Sequence, residues 1–409
     1  MGDQVDIRMK GFLSKKDLKE VIQIIRQMVK LVGDESISFR DALNRVLAED
    51  IDSQRDVPPF SRAAMDGYGV KATDTFGASR YNPVQLKLIG EILAGEELDH
   101  ELKEGEAVRI MTGGRMPKGA DAVVMAEYAE EKGDQVWIYK SLQPKKNLML
   151  KGEDIKKGDI VLKKGRRLKP QDIGVLASIG KIRVKVYKKP KVAIIVTGNE
   201  LVHPEDLKNS EQLVDSTSYM LEGLIKLYGG IPKHLGIIKD KEDDIFDALK
   251  GCKEDIIVVT GGTGIGKMDY APIVVSRIGE LLVHGVAMRP ASPTGLGFID
   301  NRPVFLLSGN PVAAMVGFEA FVAPAISIMQ GEKPKSIYCV KKGKVIKKVV
   351  SEIGRTDFVR VKIKGDEIEP LRITGSAILT STIRADGFIV IDKESEGLKE
   401  GEEVEVFLY

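Results

Sequence analysis

Leu18, Val21, Ile22, Ile25 and Val29 recur at the spacing of one helix face, with Ser14 where an N-cap would stand and Asp17 three positions on. Ser38 and Asp41 repeat that start signal ahead of Ala42-Leu43 and Val46-Leu47, so the pattern predicts two opening amphipathic helices. Paired Pro58-Pro59 then excludes helix. From about residue 52 to residue 144, runs such as LKLIGEIL, AVRIM and QVWIYK lie between glycine turns, the pattern of a separate β domain. Pro170 opens a short helix, QDIGVLASIG, expected to pack on the two opening ones.

The pattern changes at Lys188-Lys189-Pro190. VAIIVTGNEL is an apolar run ending in a polar turn, as a strand covered on both faces reads. Helices SYMLEGLIKLYGG, DDIFDALKGC, APIVVSRIG and VAAMVGFEAFVAPAISIM then alternate with strands LGIIKD, DIIVVTGGTGIG and PVFLLSGNP, which predicts a doubly wound parallel sheet. After Gln330-Gly331 the chain turns β again. The expected fold is multidomain, α+β and α/β. A helical/mixed domain takes residues 1–51 and 145–180, an inserted β domain 52–144, the α/β domain 181–331 and a C-terminal β domain 332–409.

Composition narrows the function. The 62 basic and 60 acidic residues nearly cancel, leaving no broad basic surface for nucleic acid. Cys252 and Cys339 form no C-x-x-C pair, and His100, His203, His234 and His284 are scattered, which disfavours a structural zinc site and a disulfide framework. The first residues lack the apolar core of a signal peptide, and the apolar stretch Val312 to Met329 contains Glu319 and Pro324, so it reads as a buried helix rather than a membrane span. The expectation is a cytoplasmic protein without nucleic-acid or membrane partners.

In open parallel sheets, ligands bind beyond the carboxyl ends of the strands. Three such ends carry unusual loops. In IIVVT-GGTGIGKMD, Gly261, Gly262, Thr263 and Gly264 allow backbone N–H groups to gather around a phosphate. GGTGIGKM is within one residue of a nucleotide-binding P-loop. It places Met268 where the Mg²⁺-holding hydroxyl should be, and Asp269 follows. An anion nest beside a carboxylate suits a phosphate bridged by a divalent cation. Glu200 stands just past the strand of VTGNEL, and LLSGNP sets Asn310 as a helix N-cap before Pro311. Outside the sheet lie Asp66 before Gly67, Thr112 within RIMTGGRMPKGAD, and the acid pair Glu153-Asp154. Singly, each passes for a glycine turn, a solvated loop charge or a helix cap. Together they exceed what a scaffold needs.

At these motifs the sequence resembles the MoeA / gephyrin E-domain family, the molybdopterin molybdenumtransferases. PPFSRAAMDGYGV, RIMTGGRMPKGADAVV, KGEDIKKGD, VTGNEL, TGGTGIGKMD, LSGNPVAA and the tail ending RADGFIV run in family order over essentially the whole chain. The resemblance implies an elongated homodimer with a MogA-like α/β domain and a β-barrel-like C-terminal domain. It places the active cleft between the α/β domain and the β domain of the second subunit. It implies adenylylated molybdopterin and molybdate or tungstate as substrates, AMP as product, and Mg²⁺ or another divalent cation as cofactor. A molybdopterin adenylyltransferase and molybdoenzyme apoproteins would be partners.

By the same resemblance the loop of Gly261, Gly262, Thr263 and Gly264 holds phosphate. Asp269, Glu200 and Asp240 position the cation and the attacking oxygen, and Asp66, Thr112 and Asp154 match the family's functional acids and threonine. The oxyanion loop departs from the family. A K-P-G-K-P type is common there, whereas AMRPASP keeps a base at Arg289 and puts Ser292 in place of the second lysine. LSGNP likewise has Ser308 where proline is usual. Arg360 and Ser376, with Arg355 nearby, would supply the C-terminal half of that anion site. Two rival readings are a nucleotide phosphotransferase with a degenerate P-loop and a pterin-binding scaffold that does not turn over.

Overall fold

In the computed structural model, residues 14–266, 269–334, 336–371 and 375–409 are described. Met268 lies outside them. The chain forms two compact units: one of residues up to Glu35, Asn44–Ala48 and Lys185–Tyr409, the other of Ser36–Leu43 and Glu49–Val184.

A six-stranded sheet organises the first unit, in the spatial order Ile231–Ile238, Lys191–Thr197, Ile256–Thr260, Arg302–Leu307, Gly295–Ile299, Glu280–His284. The first four are parallel, as their apolar runs predict. Gly295–Ile299 runs antiparallel to both its neighbours and forms with Arg302–Leu307 a hairpin that the helix–strand alternation did not announce. Its signal was local: Asp300 and Asn301 both take positive φ between Gly295–Ile299 and Arg302–Leu307, the two-residue turn that matches strand twist.

Helices cover both faces. Val192, Ile194, Ile256 and Val258 pack towards helices Leu18–Met28 and Thr217–Leu227 and towards the long helix through Phe318 and Phe321. Ala193, Ile195, Ile257 and Val259 pack towards Glu242–Gly251 and Ala271–Ile278. Pro311–Met329 is long and apolar enough to cross a membrane, yet 72% of it is buried inside the protein. Within it Phe318–Val322 widens to a π turn, the Ala323 N–H reaching the Phe318 carbonyl just ahead of Pro324, which has no N–H to give.

The opening of the chain differs from its pattern. Asp17, not Ser14, caps the first helix, accepting the Lys19 N–H at 2.8 Å. The expected second helix is only the 3₁₀ turn Phe39–Asp41, with Ser38 Oγ accepting the Arg40 N–H at 3.3 Å. Asn44 at φ +61 ends helical geometry there. Helix Pro170–Ser178 packs on that turn, whereas Leu18–Met28 lies against the helix around Phe318.

The C-terminal part of the first unit is a closed five-stranded barrel: Thr356–Lys364, Glu367–Pro370, Val340–Val345, Glu403–Leu408 and Gly387–Ile391, the last pairing back to the first. Val345, Val359, Val361, Ile389 and Val406 fill it. The second unit contains a six-stranded sheet in the order Ala122–Met125, Gly67–Val70, Glu106–Ile110, Val84–Ile92, Gln135–Ile138, Ala129–Lys132. A Cβ at Gly67 would sit 1.9 Å from the Val124 carbonyl oxygen, so this position requires glycine.

Glu254, buried just before the strand Ile256–Thr260, makes stability depend on acid. Burial pushes its carboxyl up, but Lys233 Nζ at 2.6 Å, the Cys252 thiol at 3.0 Å and the Lys253 N–H at 3.0 Å outweigh that and bring it down to about 2. A carboxylate with a depressed folded-state pKa stabilises fully above its unfolded value of about 4.3 and loses that contribution as pH falls towards 2. Glu254→Gln should therefore lower the melting temperature at pH 7 and flatten the fall in stability between about pH 4 and 2. An unchanged acid limb would contradict this.

Candidate active site

The carboxyl ends of the four parallel strands open onto one cleft of about 650 Å³. Thr197 leads to Gly198 and Glu200, Ile238 to Asp240, Thr260 to Gly261 and Gly262, and Leu307 to Ser308, Gly309 and Asn310. The three loops singled out in the sequence thus meet, together with Asp240 and Asp269.

Close packing explains the glycines. Gly261 (φ +81) leaves 2.2 Å between a would-be Cβ and the Thr197 carbonyl oxygen, and Gly262 (φ +56) leaves 2.6 Å to Thr197 Oγ1. Any side chain would push the loop off the neighbouring strand end. Thr197 Oγ1 is buried without a hydrogen-bond partner at the floor of this cleft. Asp269 folds back over the same loop. Its Oδ2 accepts the Gly266 N–H at 2.5 Å, and its own N–H donates to the Gly266 carbonyl at 3.2 Å. Asp240 and Asn199 lock two strand ends reciprocally, each carboxylate or amide oxygen accepting the other's backbone N–H at 3.1 and 3.2 Å.

Thr263 is buried, and its hydroxyl donates to the Leu307 carbonyl at 2.9 Å, so its side chain braces the loop from behind. His284, which the sequence left unassigned, does the same from the edge strand. Its Nε2 faces the carbonyl oxygens of Thr263 at 3.2 Å and Gly264 at 3.1 Å, and since both can only accept, the ring nitrogen donates. Burial lowers its pKa, which favours the neutral imidazole.

Glu200, Asp240 and Asp269 line the cleft as separate carboxylates. Among the described residues no three histidine, cysteine or acidic side chains converge on a ready-made metal site. That donor set fits a hard divalent cation shared with phosphate, which takes one or two carboxylates and fills its shell with phosphate and water oxygens.

A second cleft of about 610 Å³ adjoins the first, with Ser308 and Asn310 lining both. Arg289, Ser292, Arg355, Ser376 and Glu352 face it. Asn310 occupies the N-cap position before Pro311, but makes no capping bond with its side chain. Its Nδ2 donates instead to Ser376 Oγ at 3.1 Å, and the Val312 N–H reaches the Ser376 carbonyl at 3.0 Å. Both arginines are held from beneath by Asp357, which is fully buried. Arg289 pairs with Asp357 Oδ2, Arg355 Nε donates to Oδ1 at 3.1 Å, and the Ser351 hydroxyl donates to Oδ2 at 2.8 Å.

Arg360 is not in this company. Six per cent exposed, it lines a separate small pocket with Glu319, Phe388 and Tyr409, where burial lowers its pKa. Strand alternation accounts for the difference: Asp357 and Arg360 are three residues apart and so point to opposite faces of Thr356–Lys364. Among the described residues, the C-terminal guanidinium facing the cleft is Arg355.

In the second unit Asp66 and Thr112 are bonded to each other. Asp66 Oδ1 accepts both the hydroxyl and the N–H of Thr112 at 2.7 Å, which holds its carboxyl below the usual range. Asp154 sits exposed in the turn after Gly152, its N–H on the Val57 carbonyl at 3.1 Å, while Glu153 closes that turn by accepting the Leu150 N–H at 2.6 Å.

Residues 16–180 match the MoeA N-terminal region (domain I and II), residues 193–327 the family described as "Probable molybdopterin binding domain", and residues 342–409 the MoeA C-terminal region (domain IV). The chain belongs to the MoeA family. It is similar to the molybdopterin molybdenumtransferase of Bacillus subtilis, 37% identical over 401 residues, which are 95% of this chain and 93% of that one. It is 36% identical to the molybdopterin molybdenumtransferase of Staphylococcus aureus over 401 residues, 96% of this chain and 95% of that one. The crystal structure of the molybdopterin biosynthesis MoeA protein of Pyrococcus horikoshii superposes with a TM-score of 0.84 at 38% identity, covering 97% of this chain and 99% of that one. Within this MoeA-family chain, the "molybdopterin binding" match contains all four strand ends of the first cleft, and the C-terminal match contains the barrel that supplies Arg355 and Ser376.

Proposed function

We propose that this chain is a molybdopterin molybdenumtransferase of molybdenum cofactor biosynthesis, taking adenylylated molybdopterin and molybdate or tungstate and releasing AMP. One observation supports it above the others: an acidic, glycine-floored cleft and an arginine-lined cleft adjoin, with Ser308 and Asn310 common to both. Such a pair suits a reaction that must bring a phosphoanhydride and an oxyanion together.

In this reading Gly261 and Gly262 let the loop approach the pyrophosphate without a side chain intervening. An oxygen nucleophile adds to phosphorus, the P–O bond of the anhydride breaks, and AMP leaves with the electron pair on its departing oxygen. Glu200 and Asp269 would hold Mg²⁺ or a similar cation, with Asp240 alongside; the cation would neutralise charge on the phosphate oxygens. Arg289, Ser292, Arg355, Asn310 and Ser376 would receive the oxyanion. Asp66, Thr112 and Asp154 enter on the strength of the family resemblance, as do a cytoplasmic homodimer, an adenylyltransferase that supplies the pterin and apoproteins that accept the product.

The test is AMP release. Adenylylated molybdopterin mixed with the protein, Mg²⁺ and molybdate or tungstate should yield AMP in proportion to metal inserted. A protein that only carried the pterin would retain the nucleotide, and that outcome would defeat the proposal.

A further inference from the structure

We infer that the Ser308 hydroxyl donates a hydrogen bond to the oxyanion at the junction where the two clefts meet. This rests on the transferase reading and names the contact that holds the oxyanion beside the anhydride.

Ser308 and Asn310 line both clefts, but their side chains do different work. Asn310 turns its amide towards the arginine cleft, where Nδ2 donates to Ser376 Oγ at 3.1 Å. Ser308 Oγ accepts the Asn310 N–H at 3.2 Å, and among the described residues nothing accepts the hydroxyl hydrogen. A hydroxyl that receives an N–H on one lone pair keeps its O–H for another partner. Ser308 is partly buried on the wall of both clefts, so that partner is a ligand entering either one. Ser292 differs, because its hydroxyl is already given to the Val286 carbonyl at 3.2 Å.

The turn that carries Ser308 is held from both sides. Before it, the Leu307 carbonyl accepts the Thr263 hydroxyl at 2.9 Å. After it, Gly309 lies against the phosphate loop, a Cβ there falling 3.4 Å from the Gly261 Cα, and its carbonyl accepts the Thr217 hydroxyl at 3.1 Å. Beyond Asn310, the Val312 N–H reaches the Ser376 carbonyl at 3.0 Å. The hydroxyl thus has a fixed place between the loop assigned to the pyrophosphate and the bonds that end on Ser376. A donor positioned before its ligand arrives gives up little freedom on binding. Which anion it serves follows from its neighbour. Asn310, whose N–H orients Ser308 Oγ, is bonded on to Ser376 of the arginine cleft, which puts the hydroxyl on the oxyanion side.

The test titrates molybdate alone, and separately AMP, into wild type, Ser308→Ala and Ser308→Thr. A hydrogen bond to an anion, once lost, weakens binding about tenfold or more, so Ser308→Ala should bind molybdate about tenfold more weakly. Ser308→Thr keeps the hydroxyl and should stay within about threefold of wild type. All three should bind AMP alike, which also reports an intact cleft. In the AMP-release assay, Ser308→Ala should raise KM for molybdate about tenfold with kcat unchanged. A molybdate affinity for Ser308→Ala within twofold of wild type would overturn the inference. So would a Ser308→Thr protein as weak as Ser308→Ala, a loss that falls on AMP instead, or a wild type that does not bind molybdate. The transferase reading fails separately: a wild type that binds molybdate but releases no AMP from adenylylated molybdopterin sinks that reading, and the titration still decides Ser308.

Discussion

Replacing Asp269 with asparagine is expected to slow AMP release roughly a hundredfold while leaving the fold intact. Asparagine has the same shape and can still present an oxygen to the Gly266 N–H, which Asp269 holds at 2.5 Å, so that bond is kept. What disappears is negative charge on the wall that also carries Glu200 and Asp240. The loss should fall on kcat and be partly offset by raising Mg²⁺, because a weakened cation site refills by mass action. Melting temperature should change little. An Asp269→Asn enzyme within threefold of wild type would remove this carboxylate from the reaction.

The second large effect concerns stability. Asp357 is fully buried and bonded to Arg289, Arg355 and Ser351; in Asp357→Ala, Arg289 and Ser351 lose this acceptor and Arg355 is left with Glu352. Removing one partner of a buried ion pair typically costs about 3 to 5 kcal/mol, because the remaining charges stay desolvated without compensation. Arg289 and Arg355 are only half-buried and can turn to solvent, which favours the lower end, about 3 kcal/mol. Urea unfolding followed in the C-terminal barrel should show that loss, and molybdate affinity should weaken with it as both guanidinium groups leave their positions. A loss below about 1 kcal/mol would mean that Asp357 is not what holds the arginine cleft.

How far these residues could be read from the sequence varied with the kind of signal. The strand ends were legible because an apolar run followed by glycine or a polar turn, as in VTGNEL and VTGGTG, follows from burial on both faces of a parallel strand. That Glu200, Gly261, Asn310 and Asp269 share a cleft followed in turn from the topology. The antiparallel end of the sheet was harder. ELLVH and GLGFI are too short to separate from loop, and the decisive Asp300-Asn301 turn carries no glycine. The second opening helix failed because its cap signal at Ser38 was real but local: one turn formed, and Asn44 at positive φ ended it.

Arg360 shows a different limit. A motif fixes which residues are present, but a single step along a strand decides which face each occupies, and that step put Arg355 rather than Arg360 over the cleft. His284 was invisible for a related reason. Its partners, the Thr263 and Gly264 carbonyls, are reached only through a pairing distant in sequence.

The most direct measurement is a crystal structure of this chain with adenylylated molybdopterin and Mn²⁺ in place of Mg²⁺, recorded at the manganese absorption edge. The pyrophosphate should lie against Gly261 and Gly262, with an anomalous peak within coordination distance of Asp269 or Glu200. A pyrophosphate bound away from those strand ends, or a manganese peak that touches neither carboxylate, would contradict the assignment of this cleft.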